Sequence, residues 1–119
     1  VTSASLKRTT VDGSGLPVTR LLLVDDHPVL RAGIKLLLSA EEDLEVVGEV
    51  DDGLKAVEFA RDHAVDVIIM DVSLPQLTGP EATKNILGCN PAQRVLVFSS
   101  HEDASLARQL LAWARRATP

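Results

Sequence analysis

Tyrosine is absent from the sequence, and Phe59, Phe98 and Trp113 are its only aromatic residues. That shortage disfavours nucleic-acid modules that stack bases on exposed rings. There is one cysteine, Cys89, which excludes an internal disulfide framework and a cysteine-rich zinc site. No apolar run approaches the ~18 residues of a membrane-spanning helix. Leu6-Lys7-Arg8 is followed by polar residues, so the opening stretch lacks the apolar segment of a signal peptide. No internal repeat is visible. A reducing cytoplasm is the expected setting.

What is present fits one small globular domain. The chain has 119 residues, 45% hydrophobic and 24% charged, enough apolar side chains for a single core. The net charge of −5 is unevenly placed. Residues 1–20 hold Lys7, Arg8 and Arg20 against Asp12, and residues 108–119 hold Arg108, Arg115 and Arg116 with no acid. Residues 21–107 carry 16 acids and 6 bases, a balance of −10. Such a body repels a phosphate backbone, so direct DNA binding is not expected, and cations or basic partners suit it better.

The first 19 residues are rich in Ser, Thr and Gly without hydrophobic periodicity and read as a flexible leader. From Arg20, strand and helix signals alternate. Residues 21–24 are a short apolar run that stops at Asp25-Asp26, as a buried strand does. Pro28 then opens a helix carrying Leu30, Ile34, Leu37 and Leu38. Residues 44–50 form a second strand, and Gly53 begins a helix with Leu54, Val57 and Ala60 on one face. Residues 65–70 are the strongest strand signal and end at Asp71. Thr78-Gly79-Pro80 opens a helix with Ala82, Ile86 and Leu87, and Cys89 follows it. Residues 94–98 are a fourth strand ending at Ser99. Asp103 can cap a last helix bearing Leu106, Leu110 and Trp113. This order predicts an α/β fold with a doubly wound parallel sheet.

In such sheets ligands gather at the carboxyl ends of the strands. There the sequence places Asp25 and Asp26, Asp71, and Ser99. Neighbouring strands lie ~4.8 Å apart, so these acids can converge. Three close carboxylates cannot all stay ionised without a cation, and a hard divalent ion with oxygen ligands, Mg²⁺ above all, resolves the conflict. A strand-end Asp alone is explained as a helix cap. Acids after two strands, with a hydroxyl after a third, ask for more.

Leu23-Val24-Asp25-Asp26-His27-Pro28, then Met70-Asp71-Val72-Ser73-Leu74-Pro75 with Gly79, then Val97-Phe98-Ser99, resemble the receiver domain of two-component response regulators. Asp25 to Pro28 followed by Val29-Leu30-Arg31-Ala32-Gly33 resembles the NarL/FixJ (LuxR-type) subfamily. The resemblance covers residues 20–112. It implies a flavodoxin-like sheet of strand order 2-1-3-4, with the fifth strand and helix of the family missing. It also implies that Asp71 accepts a phosphoryl group from a sensor histidine kinase. Asp26, Asp71 and the Ser73 backbone carbonyl would bind Mg²⁺ directly, and Asp25 would assist through water. Ser99 would hold a phosphoryl oxygen and act as the switch hydroxyl. Pro75 matches a proline whose preceding bond is often cis. The family is a signalling one and not an enzyme in the ordinary sense.

After Ala112 the family continues with Gly-Ala-x-Gly-Tyr, a fifth strand, a lysine that supplies a second cation, and a fifth helix. This sequence reads Trp113-Ala114-Arg115-Arg116-Ala117-Thr118-Pro119 instead. Lys84 lies too early in the pattern to replace that lysine. A frame shifted within the Trp113 codon permits Gly-Ala-Pro-Gly-Tyr-Ala, so residues 113–119 are an atypical tail for which a frameshift is one explanation. Loss of the fifth unit would leave the fourth strand an exposed edge, uncover apolar side chains of strands three and four, and favour self-association.

Two further readings stay open. An inert or interfering receiver-like interaction module would keep the shape without switching. A haloacid dehalogenase-type phosphatase also uses a strand-end Asp, but needs a second Asp where this sequence has Ser73. His27 next to Pro28 reads as positional at a helix start, and His63 and His101 as surface residues.

Overall fold

A computed structural model describes residues 17–99 together with Ala112, which is helical. Apart from Ala112, the expected helix of residues 103–113 lies outside these residues, as do the tail at 113–119 and most of the leader.

Among the described residues, seven elements alternate from Thr19 to Phe98. They are β1 (Thr19–Val24), α1 (Pro28–Ser39), β2 (Leu44–Val50), α2 (Gly53–Asp62), β3 (Val67–Asp71), α3 (Gly79–Cys89) and β4 (Arg94–Phe98). The sheet order is β2-β1-β3-β4 and every pairing is parallel. This is the flavodoxin-like order the resemblance implied. The first strand reaches back to Thr19, and Val18 and Thr19 are buried. Val18 and Thr19, which the sequence reading put in the leader, thus belong to the folded body.

Each strand feeds two layers because its side chains alternate faces. Leu21, Leu23, Val67, Ile69 and Phe98 pack with Ile34 and Leu38 of α1 on one side. Leu22, Val24, Ile68 and Met70 pack with Ala56 of α2 and with Ala82 and Ile86 of α3 on the other. All five residues of β3 are buried, as befits a central parallel strand. Of the apolar side chains expected to be uncovered, those of β3 are buried, while β4 is mixed, with Val95 and Leu96 half-buried. Val67, Ile69 and Phe98 are buried in the α1-side cluster, Leu96 packs against it, and only Val97 of β4 is exposed.

Two helix faces differ from the sequence reading. Leu37 is 46% exposed, because Ile34 and Leu38, four residues apart, define the buried stripe of α1. Leu54 is 45% exposed, because α2 buries Gly53 and Ala56 and rests Val57 and Ala60 against the core. Spacings of three drift around a helix, so Leu54 falls off the face that Val57 and Ala60 share. Cys89 is the exposed last residue of α3 and not part of the following loop.

Candidate functional site

The carboxyl edge of the sheet is assembled from three strand ends. Register pairs Val24 with Met70 and Asp71 with Phe98, so Asp25 and Asp26 leave β1 beside the end of β3. The Val72 N–H donates to the Phe98 carbonyl at 2.7 Å, which sets half-buried Ser99 at the same edge.

Asp25 and Asp71 are fully buried, whereas Asp26 is at the surface. Asp25, Asp26, His27 and Asp71 each offer a ligand atom within 4.8 Å of the others. Oδ1 of Asp25 accepts from the His27 N–H at 2.9 Å. Oδ1 of Asp71 accepts from the Ser73 N–H at 3.2 Å. The second oxygen of each, Oδ2, is buried with no hydrogen-bond partner. Two orphaned carboxylate oxygens in one buried pocket are costly unless a cation satisfies them. The site therefore fits a hard divalent ion in its donor chemistry as well as in its spacing.

His27 is the member that sequence reasoning treated only as positional. It does stand at the N-cap of α1. Its Nδ1 also lies 2.9 Å from Asp25, 3.2 Å from Asp26 and 3.5 Å from Asp71. The hydrogen bond with Asp25 raises the imidazole above its usual pKa, against a smaller opposing effect of burial, and the charges of Asp26, Asp25 and Asp71 raise it further. The signal for this was the placement of a histidine directly after two acids.

The loop from Asp71 to α3 carries Ser73. The bond before Pro75 is trans, contrary to the cis bond that the resemblance suggested, since no peptide among the described residues is cis. The reversal is made one residue later. Gln76 has φ 70, and the Leu77 N–H donates to the Pro75 carbonyl at 2.8 Å, a γ-turn. Thr78 then caps α3 in a reciprocal box with Glu81. A groove of about 600 Å³, lined by Asp26, Ser73, Pro75, Thr78 and Pro80 among others, opens beside the cluster. Lys84 lies exposed on α3, and the tail arginines lie outside the described residues.

Comparison with known proteins decides the family. The profile of the response regulator receiver domain matches residues 21–115. The chain belongs to that family. It is 38% identical over 92 residues to the transcriptional regulatory protein DegU of Brevibacillus brevis, covering 77% of this chain and 39% of that protein. It is 37% identical over 91 residues to the response regulator UvrY of Escherichia coli, covering 76% and 42%. The chain thus spans about two fifths of the length of these curated relatives. Among solved structures, the response regulator domain of Thermotoga maritima CheB superposes with a TM-score of 0.75 at 30% identity, covering 84% of this chain and 96% of that one. A LuxR-family two-component response regulator from Aurantimonas gives 0.68 at 34% identity, covering 84% and 69%. Membership in this family leaves the dehalogenase-type phosphatase reading without support. Among the described residues, no helix is long and apolar enough to cross a membrane.

Proposed function

We propose that this receiver domain accepts a phosphoryl group on Asp71 from the phosphohistidine of a sensor kinase. The observation that carries the reading is the pair of buried carboxylates, Asp25 and Asp71, whose orphaned oxygens converge with Asp26 at the carboxyl edge. Asp25, Asp26, Asp71 and the Ser73 carbonyl would hold Mg²⁺. Bound there, the ion would neutralise charge that builds on the phosphoryl oxygens during transfer.

The remaining work falls to the chain. A carboxylate oxygen of Asp71 forms the new bond to phosphorus in line with the P–N bond of the donor, and that bond breaks as the imidazole departs. Ser99 donates its hydroxyl to a phosphoryl oxygen. The Ser73 N–H orients Asp71 through its Oδ1, and the groove beside Asp26 admits the donor. The acidic body disfavours direct contact with a DNA backbone.

Beyond Lys84 the 119 residues contain no lysine. The second cation that the resemblance calls for would stand on a strand that follows β4, outside the described residues. The alternative is a receiver-like interaction module that binds partners or itself without switching. Incubation with Mg²⁺ and acetyl phosphate, followed by intact mass, separates the two. Addition of one phosphoryl group, abolished by Asp71→Asn, is the expected result. No addition, or addition that survives Asp71→Asn, removes Asp71 from the role.

A further inference from the structure

The side chain of Arg31 ties the end of β1 to β2. Its Nη1 donates to the main-chain carbonyl of Asp25, and its Nε lies 3.4 Å from Oε1 of Glu49. Glu49 is held in turn by Lys35, whose Nζ lies 2.7 Å from Oε2. Arg31 itself is fixed in the first turn of α1, where its N–H donates to the His27 carbonyl at 2.9 Å. We propose that Arg31 is a positioning residue for Asp26, setting the direction in which that carboxylate leaves the backbone. The inference rests on the reading of the acidic cluster as an Mg²⁺ site.

β1 stops at Val24, and although the Asp25 N–H still donates to the Val50 carbonyl at 3.2 Å, the Asp25 carbonyl lies past the last residue of the strand. Arg31 supplies it with a donor in place of a neighbouring strand. The peptide unit is planar, so fixing the Asp25 oxygen also fixes the amide nitrogen and Cα of Asp26. Asp25 and Asp71 are held by burial on every side. Asp26, with its side chain 36% exposed, takes its direction from the backbone instead. A planar guanidinium can serve the carbonyl and the Glu49 carboxylate together, whereas a lysine offers a single donating point.

Charge and geometry predict opposite signs, which makes the inference testable. Arg31 is a cation near three carboxylates, so deleting its charge alone would tighten binding of Mg²⁺. Loss of positioning would weaken it. Mg²⁺ titrations by calorimetry on the full chain compare wild type with Arg31→Ala, Arg31→Lys and Lys35→Ala. Arg31→Ala is expected to weaken Mg²⁺ roughly tenfold, the scale of outer-shell substitutions at metal sites. Arg31→Lys should recover part of that loss, and Lys35→Ala, which removes the other partner of Glu49, should bind as wild type does. In the metal-free protein, the Asp26 amide should exchange faster with solvent in Arg31→Ala but not in Lys35→Ala. Arg31→Met keeps the apolar stem and repeats the comparison should the alanine variant not fold. Unchanged or tighter Mg²⁺ binding in these Arg31 variants, with the Asp26 amide unmoved, overturns the inference while the site reading stands. Wild type that does not bind Mg²⁺ overturns both.

Discussion

Gly79 lies directly against the backbone of Asp71. A Cβ at Gly79 would sit 2.4 Å from the Asp71 carbonyl oxygen and 2.9 Å from the Cα of Val72, and the Gly79 N–H donates to the Val72 carbonyl at 2.9 Å. The start of α3 is thus seated on the residue proposed to take the phosphoryl group. Since the obstruction is backbone, it cannot swing aside as a side chain would. Gly79→Ala is expected to cost about 1–3 kcal/mol, the range for overpacking a closed site. It should also slow phosphorylation of Asp71 by displacing it. Chemical denaturation together with acetyl phosphate labelling reads both, and wild-type values in each would show that α3 moves away without disturbing Asp71.

Mg²⁺ should stabilise the fold. A ligand bound only by the folded state adds RT ln(1 + [L]/Kd), about 2.7 kcal/mol at a hundredfold excess over Kd. The melting midpoint should therefore climb with Mg²⁺ and return on chelation. Asp26→Ala, a change at an exposed carboxylate, should abolish the climb without unfolding the metal-free protein. An equal climb in that variant would take Asp26 out of the site.

His27 gives the metal-free protein a dependence on pH. Its pKa is raised in the fold by Asp25 and the neighbouring acids. A group raised in the folded state contributes stability that is fully present below its unfolded value, about 6.5. That contribution fades as pH climbs through the higher folded value. The gap in melting midpoint between wild type and His27→Gln should accordingly be widest near pH ~6 and close on the alkaline side of the folded pKa. Titration of the ring followed by NMR should place His27 above the ordinary imidazole value of about 6.5. A ring that titrates at or below that ordinary value would contradict this.

The alternation of strands and helices was legible because each parallel strand is a short apolar run that ends at a polar residue. That same signal placed Asp25, Asp26 and Asp71 at one edge, where the structure brings them together. Less legible was the choice among neighbouring leucines. Leu36, Leu37 and Leu38 are consecutive, and only packing against Ile34 selects Leu38. The trans bond before Pro75 and the turn at Gln76 were not legible, because nothing local in the loop between Asp71 and Thr78 marks them. Arg31 escaped notice because its partners, Asp25 and Glu49, are joined to it only by the fold.

Removing a charge from the buried cluster should make the metal-free protein more stable. Asp25 and Asp71 are both fully buried, and each keeps one oxygen without a hydrogen-bond partner. Two like charges separated by at most 4.8 Å repel by at least about 3.5 kcal/mol at an effective dielectric constant of ~20. Protonated His27 offsets part of that repulsion, so the net gain from Asp71→Asn should be about 1–2 kcal/mol, growing as His27 loses its proton. For a domain of this size that corresponds to a rise of roughly 4–16 °C in melting midpoint in the presence of a chelator. The amide keeps the shape of the carboxylate, so no void offsets the gain, whereas Asp71→Ala would leave one. The same Asp71→Asn variant should lose phosphorylation altogether, an exchange of activity for stability expected of a site built from mutually repelling groups. Thermal melts in chelator at pH 6 and pH 8 test the argument. A lower midpoint for Asp71→Asn at both values would mean that the carboxylate is satisfied in the metal-free fold and that no repulsion waits for a cation to relieve it.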